Sequence, residues 1–221
     1  MDIDLKAAGS VALSAVLLAA CTPTVPDSDG PHVDVLGSMM ASESEINTVM
    51  NAKVRPKTAL RRPMTNANFE PLSRPECIVV IGNGMEWVYG DSGYREFRET
   101  QLADDNDDVE VDQAIARFDN PQAAEAMVAR TLDIWRRCGN DTLTFSYDGG
   151  RTRDARRMAA PTVLDGVDLT HDEPLDVTDR RTHRAILTVD AYVIDLRISG
   201  YTVTDNQTVQ LAKIIAGRNA L

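Results

Sequence analysis

Three histidines (His32, His171, His183) and three cysteines (Cys21, Cys77, Cys138) are the chain's whole stock of imidazole and thiol donors. That is too few for a rich metal or redox centre. No G-x-S-x-G, H-E-x-x-H or Walker loop occurs. Gly82-Asn83-Gly84 lacks the third glycine and the βαβ setting of a dinucleotide fingerprint, and reads as a turn. Asp104–Asp108 opens like a calcium loop, but Val109 stands where the sharp turn needs glycine and Ile115 where a glutamate closes the cage. It reads as a solvated hairpin tip. Asp165, Asp168 and His171 offer two carboxylates and an imidazole, with no second histidine beside them in sequence, and read as loop residues. No metal or cofactor is expected, and no catalytic residue stands out.

What remains is charge and aromatic surface. Arg184, Asp195 and Arg197 fall on one face of a predicted hairpin, where they form either a local ion cluster or the wall of an anion-binding cleft. Trp87, Tyr89 and Tyr94 lie beside Gly82, Gly84, Gly90 and Gly93, and either line that cleft or pack as ordinary core aromatics. Trp87, Tyr94, Arg184 and Arg197 are the ligand-binding candidates. His183 falls on the apolar face of the same hairpin and reads as a satisfied core residue.

Composition limits what such a surface serves. The 221 residues carry 34 acidic and 23 basic side chains, a net charge of −11, which argues against nucleic acid as a partner. With 43% apolar and 26% charged residues the chain is globular in composition and long enough for one domain plus a tail. Ala7–Ala20 is an apolar stretch of signal-peptide length, too short to span a bilayer. Leu18-Ala19-Ala20-Cys21 resembles the bacterial lipobox, which implies cleavage before Cys21, its diacylation and a membrane-tethered mature chain. An ordinary secretory signal with an incidental Cys21 is the alternative, and Asp2 and Asp4 against a single Lys6 depart from the usual cationic start. The expected organisation is a signal peptide over 1–20, a lipidated cysteine and Pro-rich flexible linker over 21–38, and a folded domain over 39–221. The membrane, through the lipid, is one expected partner; a small envelope ligand or an envelope protein is the other.

The elements follow from periodicity and caps. Ser42 and Glu45 spell a capping box ahead of a helix over 42–52. Residues 53–75 read as a basic, Pro-rich loop, and Cys77–Ile81 as a short apolar run. Strands are expected over 94–102 and 109–118, with Val109, Val111, Gln113, Ile115 and Arg117 on one face. Asn120 caps a helix with Pro121 in its first turn; Ala124, Met127, Val128, Thr131, Leu132, Trp135 and Cys138 make its apolar stripe and Gly139 its stop. Leu143–Tyr147 alternates as a strand up to Gly149-Gly150. Residues 152–178 read as loop-rich, 183–199 as two strands, and 205–215 as a closing helix. This mixture has no βαβ rhythm and points to an α+β domain, a mostly antiparallel sheet packed with helices.

The order of these pieces resembles a known family, the extracellular sensor domain of mycobacterial PknH-type serine/threonine kinases, which many actinobacterial lipoproteins carry without a kinase. The residues behind the resemblance are Ser42–Met50 (SESEINTVM), Pro75–Cys77, Tyr89–Gly93 (YGDSG), Val111–Phe118 (VDQAIARF), Pro121–Ala126, Trp135–Gly139 (WRRCG), Arg184-Ala185, Val193–Asp195 and Leu211–Ile215. The resemblance implies a single α+β domain with a cleft and a ligand-sensing role, and it supplies no catalytic residue. Such domains usually hold two disulfides; Cys77 and Cys138 match the first pair. The second is missing. A hairpin turning at Asp190-Ala191 pairs Val189 with Tyr192 and His183 with Ile198, and sets Thr182 opposite Ser199, where the family would have its two cysteines. Asp-Ala is a poor type I′ turn because alanine resists positive φ. Three functions stay open on this reading: a non-enzymatic binding or sensor module, a structural or protein-interaction lipoprotein, and an exported hydrolase using two carboxylates.

Overall fold

The computed structural model describes residues 34–65, 73–147, 152–175 and 179–218. The expected signal peptide, Cys21, most of the linker and the Gly149-Gly150 turn lie outside the described residues. Nine strands are described: β1 (Arg55–Leu60), β2 (Glu96–Ala103), β3 (Val109–Arg117), β4 (Thr142–Tyr147), β5 (Thr152–Met158), β6 (Thr162–Leu164), β7 (Val167–Pro174), β8 (Arg181–Val189) and β9 (Tyr192–Gly200). They form an antiparallel sheet in the order β1-β2-β3-β9-β8-β7-β5-β4, with β6 beside β7. The fold is α+β, as expected.

Strand alternation gives the sheet two unlike faces. On one, Val111, Ile115, Leu169, Ala185, Ile194, Leu196 and Ile198 are buried beneath α1 (Val35–Met39), α2 (Glu43–Met50) and α6 (Asp205–Gly217). On the other, Phe97, Ala114, Ala116, Ile186 and Val193 pack under α5 (Pro121–Cys138) and under a roof. The roof is a 3-10 turn, Pro75–Cys77, running into α3 (Ile78–Ile81) and α4 (Glu86–Tyr89). Among the described residues no helix is long and apolar enough to cross a membrane.

The caps are those the sequence spells. Ser42 and Glu45 close a capping box on α2, Thr204 and Gln207 another on α6, and the Asn120 side chain accepts the Ala123 N–H at 2.9 Å. All seven stripe residues of α5 are buried. Gln113, on the apolar face of β3, is satisfied by the Ala41 backbone through two bonds of 2.9 Å.

Several expectations need correction. The linker expected through residue 38 is partly helix: Asp34 caps α1, and Leu36 and Met39 are buried. Arg55–Leu60, expected as loop, is the edge strand β1; Pro56, Lys57 and almost fully exposed side chains hide it from any periodicity test. Residues 152–174, expected as loop-rich, hold three strands, β5, β6 and β7. Asp165 (φ 54°) and Gly166 (φ 81°) form a two-residue turn joining β6 to β7, and the Asp-Gly signal for such a turn was there to read. In the β8–β9 turn Asp190 alone takes positive φ (49°), so Ala191 is spared the strain that made the turn look unfavourable. Val189 pairs with Tyr192, Thr182 with Ser199 and His183 with Ile198, the register read from the sequence.

Candidate functional site

A group of buried polar residues gathers where the roof crosses the strands: Asn83, Glu99, Asp112, Arg184 and Asp195. Two cross-strand rows meet there. One reads Gln101–Asp112–Arg197–Arg184 across β2, β3, β9 and β8; the other reads Glu99–Ala114–Asp195–Ile186. Arg184 is 1% exposed and hangs the roof from the sheet. Its Nη1 donates to the carbonyls of Val79 (2.6 Å) and Gly82 (3.0 Å), and its Nη2 to Asp195 Oδ1 (2.5 Å). The guanidinium also lies 5.2 Å from the Trp135 ring centroid, and Trp135 Nε1 donates to Val79 O at 3.0 Å. The Tyr89 hydroxyl donates to the other Asp195 oxygen at 3.1 Å. Arg184 and Asp195 neutralise each other, as a buried ion pair requires, while Arg184 Nε is left without a hydrogen-bond partner in the structure.

Cys77 and Cys138 are bonded, with Cα atoms 5.7 Å apart, and both are fully buried. The disulfide joins the start of the roof to the end of α5.

Beside the knot lies a pocket of about 120 Å³. Met64, Ile78, Ile81 and Met85 give it an apolar side; Asn83, Gln101, Asp112 and Arg197 give it a polar one. Arg197 Nη1 donates to Asp112 Oδ2 at 2.7 Å, and Asn83 Nδ2 donates to the Asp112 carbonyl at 3.2 Å. Arg197 keeps 30% of its side chain exposed where Arg184 keeps 1%, and its guanidinium is held inward by Asp112.

Glu99 sits behind the pocket wall and is fully buried. Gln101 Nε2 donates to Glu99 Oε1 at 2.9 Å, while Oε2 has no hydrogen-bond partner in the structure. Burial, with Asp112 and Asp195 adding like charge, pushes its pKa up to about 8, so it is a neutral acid at physiological pH. Gly84 makes this burial feasible. It adopts φ +60°, and a Cβ there would lie 2.0 Å from Glu99 Oε2.

The four sequence candidates part company here. Arg184 and Arg197 face each other across β8 and β9, but Arg184 is committed to the knot and only Arg197 lines the pocket. Trp87 and Tyr94 do not line it: Trp87 is 41% exposed on α4, and Tyr94 packs edge-on against Tyr89 (6.4 Å) and Phe97 (6.0 Å). Asp112, Gln101, Asn83 and Glu99 went unread. A lone acid alternating with Ala114 and Ala116 on one face of β3 was the available signal.

A disulfide-stapled α+β domain with a sheltered polar seam is the kind of protein built for an oxidising compartment. The chain belongs to the family of PknH-like extracellular domains, whose family model matches residues 31–218. It is 24% identical over 187 residues to the serine/threonine-protein kinase PknH of Mycobacterium bovis, covering 81% of this chain and 30% of the kinase. The Mycobacterium tuberculosis kinase of the same name matches at 24%, covering 29% of its length. The chain thus spans less than a third of these relatives. The crystal structure of the extracellular domain of PknH from M. tuberculosis superposes with a TM-score of 0.75 at 22% identity, covering 84% of this chain and 95% of that one. That likeness is one of fold.

Proposed function

We propose that this protein is an extracytoplasmic lipoprotein, tethered through Cys21, whose domain is a non-enzymatic binding or sensor module reading a small polar or anionic envelope ligand at Arg197. The observation that carries the reading is an arginine lining a pocket with one apolar and one polar side, set under a roof held by a disulfide and by Arg184.

The hydrolase reading fits the site poorly. Glu99 and Asp112 are diagonal neighbours on β2 and β3, but Glu99 is sealed under Gly84 and Asp112 is paired with Arg197. They do not flank a common substrate space of the kind paired catalytic carboxylates need.

One observation favours a second reading, a protein-interaction lipoprotein. At about 120 Å³ the pocket is well below the usual ~300–1,000 Å³ of ligand clefts, a size suited to a few heavy atoms or one partner side chain. Thermal-shift screening of the exported protein against carboxylate, phosphate and sugar envelope metabolites separates the two. A rise in Tm abolished by Arg197→Ala supports the small ligand. A flat screen together with a defined cross-linked partner in native membranes, also lost in Arg197→Ala, supports the protein partner and refutes the small ligand.

A further inference from the structure

On the opposite face of the sheet, two of the chain's three histidines meet. His171 on β7 and His183 on β8 are directly paired across the strands, their rings stacked with centroids 5.3 Å apart. Asp205, the first residue of α6, presents Oδ1 to His183 Nδ1 at 2.8 Å. One donor atom from each of these three residues lies within 4.8 Å of the other two. Strand alternation puts Asp168 on the other face, so the Asp165–Asp168–His171 set considered from the sequence is not what the fold assembles.

His183 is 5% exposed, and its Nε2 is buried without a hydrogen-bond partner. A cation shared with Asp205 meets His183 at Nδ1, the nitrogen 2.8 Å from Asp205 Oδ1, replacing that hydrogen bond while the ring proton moves to Nε2. His171 and Asp205 keep 27% and 38% of their side chains exposed, which leaves an entry path and a coordination position open to solvent. Glu173, next on the same face of β7, places Oε1 4.0 Å from His171 Nε2.

We propose that His171, His183 and Asp205 form a binding site for a divalent first-row transition cation, with zinc the natural probe. The reasoning is chemical. Two neutral imidazoles and a carboxylate are a mixed nitrogen and oxygen set, suited to zinc and its neighbours and unsuited to magnesium or calcium, which want oxygen alone. The two carboxylates nearby, Asp205 and Glu173, balance a dication. Ligands around tetrahedral zinc at about 2.0–2.2 Å stand roughly 3.4 Å apart. Closing from 4.8 Å therefore asks only for side-chain rotation of the two exposed members. Three protein ligands with an open position describe an exchangeable ion rather than a closed structural site. The ion would clamp the start of α6 to the β7–β8 pair, on the face away from the Arg197 pocket, so this inference and the proposed function stand or fall separately.

The test is titration of the metal-stripped full chain with Zn²⁺ by calorimetry and with Co²⁺ by visible absorption. One Zn²⁺ per chain, a raised Tm and four- or five-coordinate Co²⁺ bands are expected, with release on acidification as the imidazoles protonate. H171Q, H183Q and D205N should each weaken binding about tenfold or more. D165N, D168N and H32Q should leave it unchanged. If H183Q disturbs packing, the partly exposed H171Q and D205N decide. No Co²⁺ bands, affinity untouched by H171Q and D205N, or loss in D165N, D168N or H32Q overturns the assignment.

Discussion

Replacing Glu99 with glutamine isolates a strongly perturbed acid of the fold. Its pKa stands at about 8 in the folded protein against an ordinary 4.5, because burial penalises the charge. Between those values the folded chain holds a proton that the unfolded chain has released. Stability therefore falls as pH rises through that window, and the full cost is present above about pH 8. A shift of about 3.5 units at ~1.4 kcal/mol each sets an upper bound on the order of 5 kcal/mol. Relaxation around the charge lowers the realised cost to about 2–4 kcal/mol. In Glu99→Gln the amide oxygen still accepts from Gln101, while its NH₂ faces the same unpartnered space under Gly84. That adds a pH-independent penalty of about 1–3 kcal/mol. Urea unfolding of both proteins at about pH 5, 7 and 9 should thus show the variant less stable in acid, with the gap closing and then reversing in base. Parallel stability curves would refute a buried neutral Glu99, whatever their separation.

Four further outcomes are expected. Reducing Cys77–Cys138, which closes a 61-residue separation, should cost about 4 kcal/mol in the chain-entropy picture, read as a fall in Tm on adding reductant; an unchanged Tm contradicts it. Thr182 and Ser199 touch through their hydroxyls at 3.0 Å, so T182C/S199C should oxidise on export and raise stability by about 3 kcal/mol or less, while two free thiols in oxidising buffer would break the register argument. Arg184→Met strands Asp195 beneath the roof and should destabilise by about 3–5 kcal/mol in chemical denaturation; a near-neutral result would mean that Asp195 takes up a proton at little cost. Cys21→Ala should move the protein from the membrane fraction to the soluble one, and persistence after a salt wash would sink the lipid anchor.

Much of this fold was readable because cap chemistry and apolar period agree locally. Ser42, Asn120 and the α5 stripe fix helices without help from distant residues, and the β8–β9 face from His183 to Ile198 fixes its register by alternation. What escaped reading depends on partners far along the chain. β1 is a strand because β2 offers an open edge, not because RPKTAL prefers one. Arg184 looked like a cleft residue because nothing in its neighbourhood tells that Val79 and Gly82, about a hundred residues earlier, place their carbonyls over it. The two histidines were read singly, one in a loop and one in a core, because β7 was not recognised as the strand that pairs them.

The roof's mode of attachment also sets a hierarchy of motions. Among the described residues, its links to the sheet run through side chains: Arg184 to two carbonyls, Asn83 to the Asp112 carbonyl, Tyr89 to Asp195. β3, by contrast, is laddered to a neighbour on each side along almost its whole length. Freeing residues 78–89 means breaking these bonds and the two backbone bonds that tie Gly84 and Glu86 to Met64, and exposing Ile78, Val80, Met85 and Val88. It leaves the ladder intact, so their amides belong to a sub-global opening and those of β3 and β9 to global unfolding. Deuterium should enter the roof first, and the disulfide at its base limits how far it swings. The native state is therefore two cooperative layers with different clocks, and the faster layer is the one that covers the pocket.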